Sequence, residues 1–360
     1  MEHIKNILIT GGGGFIGGAL VRKLLKNGDH NVFNLDKLSG RSDLSSINNL
    51  VKKRGIDSQK YVFIKCDLLD QNNLKNAVRK ADPDIVFHFA AESHVDRSIK
   101  SPKDCLFNNV IATFNLLEVI KDHFFNLNGG RSNNFRFHHI STDEVFGSIN
   151  SKGKFSEDSR YDPRSPYSAT KASSDHLVNA WHHTFGIPVI TTNASNNYGP
   201  WQFPEKLIPL VILKSLNLEK IPLYGDGMNI RDWIHVDDHI EAILLVSKYG
   251  QIGKKYLIGG NNERTNKDVV FMICDYLDEV VPRSQSYKEL ITYVNDRPGH
   301  DYRYALDPSL IKNELNWEAK IEFQEGLNNT IDWYLNNLNW CSKMANQSGY
   351  NGQRIGLLNS

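Results

Sequence analysis

A hydroxyl residue and two carboxylates stand side by side in the stretch HISTDEVFG, directly after an apolar run that is typical of a buried strand. They are Thr142, Asp143 and Glu144. Adjacent carboxylates disfavour double ionisation, and a water-poor site raises the pKa of the less well stabilised one, so that one acts as an acid and the other as a base. The alternative is that Thr142 caps a helix and the two acids face its dipole.

A second reactive pair, Tyr167 and Lys171, lies in SPYSATKASSDHL, four residues apart and so on one face of a predicted helix over 166–185. A phenol with a pKa of about 10 is a poor base at neutral pH. A nearby ammonium and the positively charged ring of an oxidised nicotinamide would both favour the phenolate. Taken alone, the spacing is also typical of a packed tyrosine beside a solvated lysine. The catalytic interpretation therefore depends on the glycine turn described next.

A glycine-rich turn, ITGGGGFIGGAL, connects the predicted strand NILI to a helix and carries Gly11, Gly14 and Gly17. Glycine permits the tight bend, allows the backbone to approach a pyrophosphate, and leaves the helix N-terminus open to the anion. Sterics alone can also require glycine in such a turn. The carboxylate that follows the next strand makes a dinucleotide site the better interpretation.

That carboxylate is Asp36, nineteen residues after Gly17, where it can accept hydrogen bonds from adenosine ribose hydroxyls. Its alternative is a solvated aspartate at the end of a strand. A carboxylate here favours NAD over NADP, although Lys37 and Arg41 could accommodate a 2′-phosphate. Asp67 follows the strand YVFIKC and could approach the adenine; a cap on the following helix is the alternative, with almost the same weight.

These groups need a parallel sheet to bring them together. NILIT, FIGGALVRKLLKNG and NVFNLD form a βαβ pattern, and the apolar runs YVFIKCD, DIVFHFAA and FRFHHIS suit strands covered on both faces. We therefore predict an α/β fold with a doubly wound, mostly parallel Rossmann-type sheet, flanked by helices over 103–123 and 166–185, and a smaller, loop-rich α/β substrate lobe. The predicted NAD-binding domain spans 1–193 and also receives a strand near 255–260. Residues 194–340 mainly form the substrate lobe, which is interleaved with the first domain, and 341–360 form a polar C-terminal tail.

Composition excludes several classes of protein. Forty-two Lys and Arg against forty-one Asp and Glu give a net charge of +1, so we expect neither a nucleic-acid nor a membrane partner. The start MEHIKNILIT lacks the segments of a signal peptide, and we expect a cytoplasmic protein. The four cysteines are scattered and the histidines lack ligand spacing, so no metal is predicted.

Taken together, the glycine turn, Asp36, HFAAESHVDRS, HISTDEVFG and the Tyr167/Lys171 pair resemble the extended short-chain dehydrogenase/reductase superfamily, and within it the nucleotide-sugar 4,6-dehydratases. The resemblance covers essentially the whole chain. It implies bound NAD, a nucleotide-sugar substrate and a homodimer built on two long helices. The cofactor residues that it implies are Gly11, Gly14, Phe15, Ile16, Gly17, Asp36, Lys37, Asp67, Leu68, Ala90, Ala91, Tyr167, Lys171 and Asn196. The implied substrate residues are Ser93, Asn197, Lys206, Leu207, Tyr224, Arg231, Asn266, Arg297 and His300.

The resemblance also assigns the catalytic roles. It makes Tyr167, supported by Lys171, the base for the O4 proton. Thr142 orients O4, Glu144 removes the C5 proton and Asp143 protonates the C6 hydroxyl as it leaves. A related epimerase or decarboxylase and a non-catalytic NAD-sensing protein remain alternatives; the carboxylate pair favours the dehydratase because an epimerase has no use for an acid at C6. The choice between thymine and uracil and the final deoxysugar, expected to be of the rhamnose type, stay open.

Overall fold

A computed structural model describes residues 5–150, 152–350 and 352. Its strands, in chain order, are β1 (Asn6–Thr10), β2 (Asn31–Asp36), β3 (Tyr61–Lys65), β4 (Ile85–His88), β5 (Arg136–Thr142), β6 (Val189–Ala194), β7 (Asn196–Tyr198), β8 (Ile221–Tyr224), β9 (Ile230–His235), β10 (Lys255–Ile258), β11 (Glu263–Thr265) and β12 (Ile291–Val294). Its α-helices are α1 (Phe15–Asn27), α2 (Ser45–Arg54), α3 (Gln71–Ala81), α4 (Val95–Lys100), α5 (Pro102–Leu106), α6 (Ala112–Phe125), α7 (Gly129–Asn134), α8 (Pro166–Phe185), α9 (Leu207–Leu216), α10 (Val236–Tyr249), α11 (Asn266–Val280), α12 (Ser309–Leu315), α13 (Phe323–Asn336) and α14 (Leu338–Ser348).

Seven strands form one parallel sheet in the order β10-β6-β5-β4-β1-β2-β3. Both faces are covered by helices, which is why these strands read as nearly continuous apolar runs. The prediction of a doubly wound, mostly parallel α/β fold is confirmed. The chain reverses its direction of winding between β1 and β4, and ligands bind at such a crevice, outside the carboxyl ends of the strands.

Two apolar clusters hold the helices on the sheet. On one face α1 and α10 contribute Leu20 and Ile243 to the core, and on the other face α6 and α8 contribute Leu116 and Val178. The helix predicted over 103–123 is observed as α5 and α6 joined by a π turn, Phe107–Ile111.

Helix α8 has the bounds that its sequence predicts, 166–185. Ser165 caps its first turn in a capping box with Ser168, Pro166 occupies the first helical position, and Gly186 ends the helix in the left-handed conformation. These signals place Tyr167 in the first turn of the helix, facing the crevice.

The second lobe consists of a three-stranded sheet (β11-β9-β7), the β8-β12 pair and the helices α9, α11, α13 and α14 around them. Strand β10 leaves this lobe and pairs with β6 in the main sheet. The segment predicted as a polar tail from 341 onward begins inside α14, which buries Cys341 and Met344 and is therefore a packed element. Residues 351 and 353–360 of that segment lie outside the described residues.

Candidate active site

The carboxyl ends of the main-sheet strands open into a cavity of about 540 Å³ between the two lobes. Every residue predicted to bind the cofactor lines it, namely Gly11, Gly14, Phe15, Ile16, Gly17, Asp36, Lys37, Asp67, Leu68, Ala90, Ala91, Tyr167, Lys171 and Asn196. The other predicted catalytic residues line it too, namely Thr142, Asp143 and Glu144. The groups therefore share one site, and the role of each stays a prediction.

The glycine turn is shaped as a dinucleotide would require. Gly11 has a φ of 75°, and a Cβ there would lie 2.7 Å from the backbone nitrogen of Ala90. A Cβ at Gly17 would lie 2.4 Å from the carbonyl oxygen of Gly11. No acidic residue occupies the first turn of α1, so its backbone N–H groups face the cavity without a competing carboxylate.

Hydrogen bonds hold Asp36 beside this turn. One carboxylate oxygen accepts from the Gly13 backbone N–H at 2.9 Å; the other accepts from the Leu38 N–H at 2.8 Å and the Ser42 hydroxyl at 3.0 Å. The carboxylate is buried and lines the cavity. A fixed acceptor at the end of β2 fits a ribose diol.

The two cations that could have accommodated a 2′-phosphate are engaged elsewhere. The Arg41 guanidinium pairs with both carboxylate oxygens of Glu92, and the Lys37 ammonium donates to Asn108. Lys37 also lies 3.4 Å from a carboxylate oxygen of Asp67. This pairing favours NAD over NADP.

Asp67 does not cap a helix. Its Oδ1 accepts from the Leu69 backbone N–H at 3.0 Å within a turn, and Asp70 is the residue that caps α3. Its side chain remains exposed enough to meet a ligand in the cavity.

Strand β5 ends at Thr142, and a single 3₁₀ turn, Asp143–Phe146, follows. The Thr142 hydroxyl accepts from the Glu144 N–H at 3.4 Å and donates to Asp143 Oδ1 at 3.0 Å. The capping arrangement weighed as an alternative is therefore present, and it coexists with a place for both carboxylates in the cavity wall.

The two carboxylates have different environments. Burial, and then the charge of Glu144, raises the pKa of Asp143 well above its usual range. Burial also raises the pKa of Glu144, but Arg297 and Arg231 oppose this shift. Asp143 Oδ2 has no hydrogen-bond partner among the described residues. The environment therefore favours the protonated form of Asp143 more strongly than that of Glu144, which suits an acid and a base.

Tyr167 and Lys171 are both buried. The Lys171 ammonium donates to the Ile140 carbonyl at 2.9 Å, which fixes its position behind the end of β5. Burial, and then the charge of Glu144, raises the pKa of Tyr167 well above its usual range, while a hydrogen bond with Thr142 opposes the shift. This direction agrees with the prediction that the positive ring of an oxidised nicotinamide, in addition to Lys171, favours the phenolate.

The predicted substrate residues fall into two groups. Ser93, Asn197, Lys206 and Leu207 line the cavity, and the Lys206 ammonium donates to the Ser93 carbonyl at 2.7 Å. The others, Tyr224, Arg231, Asn266, Arg297 and His300, are not among the lining residues.

Asp96 links part of the second group, accepting from Arg297 at 3.0 Å and from the Tyr224 hydroxyl at 3.2 Å. The Tyr224 and His300 rings meet edge to face at 6.3 Å. Arg231 is buried and is held by the Asp301 carbonyl at 2.9 Å.

Asn266 stands apart from these residues. It begins α11 and donates its N–H to the Asn229 carbonyl, and the contacts of the described residues do not join it to Asp96.

Comparison with known proteins decides between the readings of this site. The sequence model of the GDP-mannose 4,6 dehydratase family matches residues 8–330. The dTDP-glucose 4,6-dehydratase of Salmonella typhimurium is 49% identical over 92% of this chain and 93% of its own length. Crystal structures of the dTDP-glucose 4,6-dehydratases of Bacillus anthracis and Streptomyces venezuelae, both with NAD, superpose with TM-scores of 0.81 and 0.83 at 40% and 39% identity, over 94% of this chain and 99% of theirs. This chain belongs to the dTDP-glucose 4,6-dehydratase family.

Sequence reasoning missed a buried carboxylate behind this dehydratase-family site, close enough to Lys171 to oppose the lowering of the ammonium pKa that burial causes. Asp175 accepts hydrogen bonds from His139 Nε2 at 3.1 Å, the Ser141 hydroxyl at 2.9 Å and the Tyr161 hydroxyl at 2.8 Å. Burial raises its pKa, but the bond from His139 and its other partners outweigh this, so the pKa lies below the usual value. Asp175 follows Lys171 by four residues on α8, and that same-face spacing was the available signal.

The described residues contain no group of three or more His, Cys, Asp or Glu side chains placed to hold an ion. Within the same residues, no helix combines the length and apolar character needed to cross a bilayer.

Proposed function

We propose that this chain converts dTDP-glucose to dTDP-4-keto-6-deoxyglucose with bound NAD. The observation that carries the proposal is the pair Asp143 and Glu144, the first buried and the second half-buried. Both line the cavity that also contains Tyr167 and the glycine turn. Their environments favour one acid and one base. Loss of water across C5 and C6 of a 4-keto sugar requires those two groups.

Bound NAD supplies the chemistry of accepting a hydride from C4 of the sugar and returning it to C6. Tyr167 takes the O4 proton and Thr142 orients O4. Lys171, fixed by the Ile140 carbonyl, supplies a positive charge from the same face of α8. Glu144 then removes the C5 proton, which the C4 ketone has made acidic, and Asp143 protonates the departing C6 hydroxyl.

The alternatives account for less of the site. A nucleotide-sugar epimerase needs the Tyr167/Lys171 pair but no acid for a C6 hydroxyl. A non-catalytic NAD sensor needs neither that pair nor a buried carboxyl such as Asp143, whose second oxygen lacks a partner among the described residues. The dehydratase reaction uses all four groups.

The substrate diphosphate requires local cations because the chain is almost neutral overall. Lys206 lines the cavity. Arg231 and Arg297 lie close enough to Glu144 to oppose the rise in its pKa that burial causes. We assign the diphosphate to Lys206 and Arg231. Tyr224, Asn266 and His300 remain proposed contacts of the nucleotide.

The proposal includes a homodimer. An apolar stripe on the π turn and α6 is exposed, with Phe107 41%, Ile111 37% and Phe114 36% accessible. Its spacing of four and three residues forms one face of the helix, and Phe114 meets Trp181 of α8 edge to face at 5.8 Å. Pairing of this face with a second copy would cover it.

A cytoplasmic location is also proposed, supported by four free, buried cysteines, Cys66, Cys105, Cys274 and Cys341. A 4-keto-6-deoxy nucleotide sugar would serve rhamnose-type deoxysugar synthesis.

The deciding experiment incubates purified protein with dTDP-glucose and with UDP-glucose in separate reactions in heavy water. We expect a 4-keto-6-deoxy product from dTDP-glucose that carries solvent deuterium at C5. A C4-epimerised sugar with no dehydration would assign the chain to the epimerases, and a protein that binds no NAD would contradict the cofactor assignment. Faster turnover of UDP-glucose would assign uracil instead of thymine as the nucleobase of the substrate and leave the assigned reaction unchanged.

A further inference from the structure

Helix α14 lies between two loops that line the active-site cavity. We call residues 37–43 the cofactor loop, because they follow Asp36, and residues 199–206 the substrate loop, because they end at Lys206. Both loops supply residues to the cavity wall, namely Lys37, Ser39, Arg41 and Ser42 from the first and Gln202, Phe203, Glu205 and Lys206 from the second. The helix that joins them is remote in sequence from both.

The contacts with the cofactor loop are polar. The Trp340 indole N–H donates to one carboxylate oxygen of Asp43 at 3.1 Å, and the Lys343 ammonium donates to the other at 2.9 Å. The Gln347 amide donates to the Ser42 carbonyl at 3.2 Å. Three residues on successive turns of α14 therefore hold the end of the loop.

The position of this loop fixes groups that we assign to NAD. Asp43 donates its N–H to the Gly13 carbonyl in the glycine turn at 2.8 Å. The Ser42 hydroxyl donates to Asp36 at 3.0 Å. Displacement of Asp43 would therefore move both the turn that faces the pyrophosphate and a donor that orients Asp36.

The contacts with the substrate loop are aromatic. The Trp340 ring meets Trp201 at 5.2 Å and Trp333 at 5.4 Å, and Trp201 and Trp333 lie 4.7 Å apart. Trp201 has a φ of 71°, which a non-glycine residue keeps only when its surroundings hold it. The Tyr334 hydroxyl donates to the Gln202 carbonyl in the same loop. Trp340 thus joins the two loops with a single side chain.

We propose that Trp340 and Asp43 are positioning residues, whose hydrogen bond fixes the cofactor loop against the substrate loop and slows the release of bound NAD. The inference rests on the proposed use of NAD. It assigns no contact with the reacting atoms to either residue. It gives a specific task to α14, most of which lies in the segment that the sequence predicts to be a tail.

The test measures how fast bound NAD exchanges for isotopically labelled NAD in the purified holoenzyme. Trp340→Phe removes the N–H donor and keeps an aromatic ring. Asp43→Asn keeps the oxygen that Trp340 and Ser45 share, but it removes the charge that strengthens both bonds and the oxygen that accepts from Lys343. Each variant should exchange NAD about 3- to 10-fold faster, the effect of one net hydrogen bond. The double variant should match the faster single variant, because both changes act on the same contact between α14 and Asp43.

Trp333→Phe is the matched control, since it makes the same chemical change in the same tryptophan cluster and leaves the bond to Asp43 in place. It should exchange NAD within about twofold of the wild type. Equal acceleration in Trp333→Phe and Trp340→Phe would assign the effect to general loosening of the cluster and overturn the inference. Unchanged exchange in Trp340→Phe would also overturn it.

Two further readouts separate this inference from other failures. The turnover number at saturating substrate and NAD should stay within about twofold of the wild type in Trp340→Phe, because no catalytic group has changed. A wild-type protein that holds no NAD would reject the proposed function, whereas a holoenzyme with unaltered exchange would reject only the role of Trp340 and Asp43.

Discussion

Asp143 is a buried carboxyl with only one of its oxygens hydrogen-bonded among the described residues. Its pKa is raised first by burial and then by the charge of Glu144. An acid with a raised pKa in the folded state binds its proton more tightly there than in the unfolded chain. Its ionisation therefore opposes folding, and the arrangement that suits catalysis reduces stability.

We predict that replacing the Asp143 carboxyl increases the stability of the fold by an amount that depends on pH. Asp143→Asn should raise the melting temperature, by an amount that grows as the pH rises from about 4, the usual aspartate pKa, toward the raised pKa of the folded state. Below pH 4 both states are protonated and the gain should vanish. Thermal unfolding across this range measures it, while activity should fall by about 10² to 10⁴.

Asp175→Asn serves as the opposite control. Because the folded-state pKa of Asp175 is lowered, its charge stabilises the fold above the unfolded pKa, and this contribution disappears as the pH falls through the folded pKa. The variant should therefore lose stability at neutral pH and lose less in acid. A gain at Asp143 that does not change with pH would contradict the assigned protonation state.

Glu144→Gln should separate oxidation from elimination. The amide cannot take the C5 proton, so the substrate should be oxidised at C4 and then stall, with dehydrated product forming about 10² to 10⁴ times more slowly. In heavy water the accumulated 4-keto sugar should carry no deuterium at C5. Rapid wash-in of deuterium in this variant would mean that another residue is the base.

At the scale of residues, the sequence reveals reactive side chains that are adjacent in the chain. It does not reveal the role of a side chain when that role depends on a partner distant in sequence. Thr142, Asp143 and Glu144 are recognisable because they are adjacent after an apolar strand. The pairing of Arg41 with Glu92 joins residues fifty-one positions apart, and only the fold brings them together. Sequence reasoning therefore left Arg41 as a possible phosphate ligand.

At the scale of elements, the glycine turn gives a prediction with a built-in control. A Cβ at Gly17 would lie 2.4 Å from the Gly11 carbonyl oxygen, a backbone atom that cannot yield without moving the turn. A Cβ at Gly18 would lie 3.3 Å from a terminal nitrogen of Arg22, which is a flexible side chain. The two glycines are neighbours in the same helix, so the same substitution tests position alone.

Gly17→Ala should weaken NAD binding by about tenfold or more, because overpacking against backbone displaces the anion-binding groups. Gly18→Ala should bind NAD nearly as the wild type does and gain up to about 1 kcal/mol of helix stability. Calorimetric titration of NAD into cofactor-free protein measures the first effect and thermal unfolding the second. Equal losses in both variants would show that the turn itself is not the binding element.

Strands covered by helices on both faces were predictable where they are apolar, as in β1 and β2. Strand β6, VITTNA, was not predicted because half of its residues are polar, although all six are buried. Thr192 meets His138 at 3.1 Å, and Asn193 donates to the Thr142 carbonyl at 2.9 Å. Hydrogen-bond partners on neighbouring elements make the burial of these polar side chains possible. The local sequence of β6 does not indicate those partners.

At the scale of the whole molecule, the site depends on contacts between distant parts of the chain. Arg297 reaches Asp96 across two hundred and one positions, and Lys343 reaches Asp43 across three hundred. The chain also sends β10 back to the main sheet after building much of the second lobe. The lobes therefore interleave, and a single division in sequence does not describe them.

The apolar stripe of Phe107, Ile111 and Phe114 leads to a prediction about assembly. If it forms the dimer interface, light scattering should give a mass of twice the 41.0 kDa chain, and the melting temperature should rise with protein concentration. Phe107→Glu places a charge at the most exposed residue of the stripe, where it would be desolvated on pairing. This variant should elute as a monomer and melt at a temperature independent of concentration.

Tyr249→Glu is the control, since Tyr249 is 60% exposed at the end of α10, on the opposite face of the main sheet from α6. It removes a large exposed aromatic residue and adds the same charge, so a general effect of charge on association would appear in both variants. We expect Tyr249→Glu to remain dimeric. A wild-type protein of single-chain mass, or a Phe107→Glu variant that stays dimeric at low micromolar concentration, would exclude this face as the interface, because a buried unpaired carboxylate typically costs several kcal/mol.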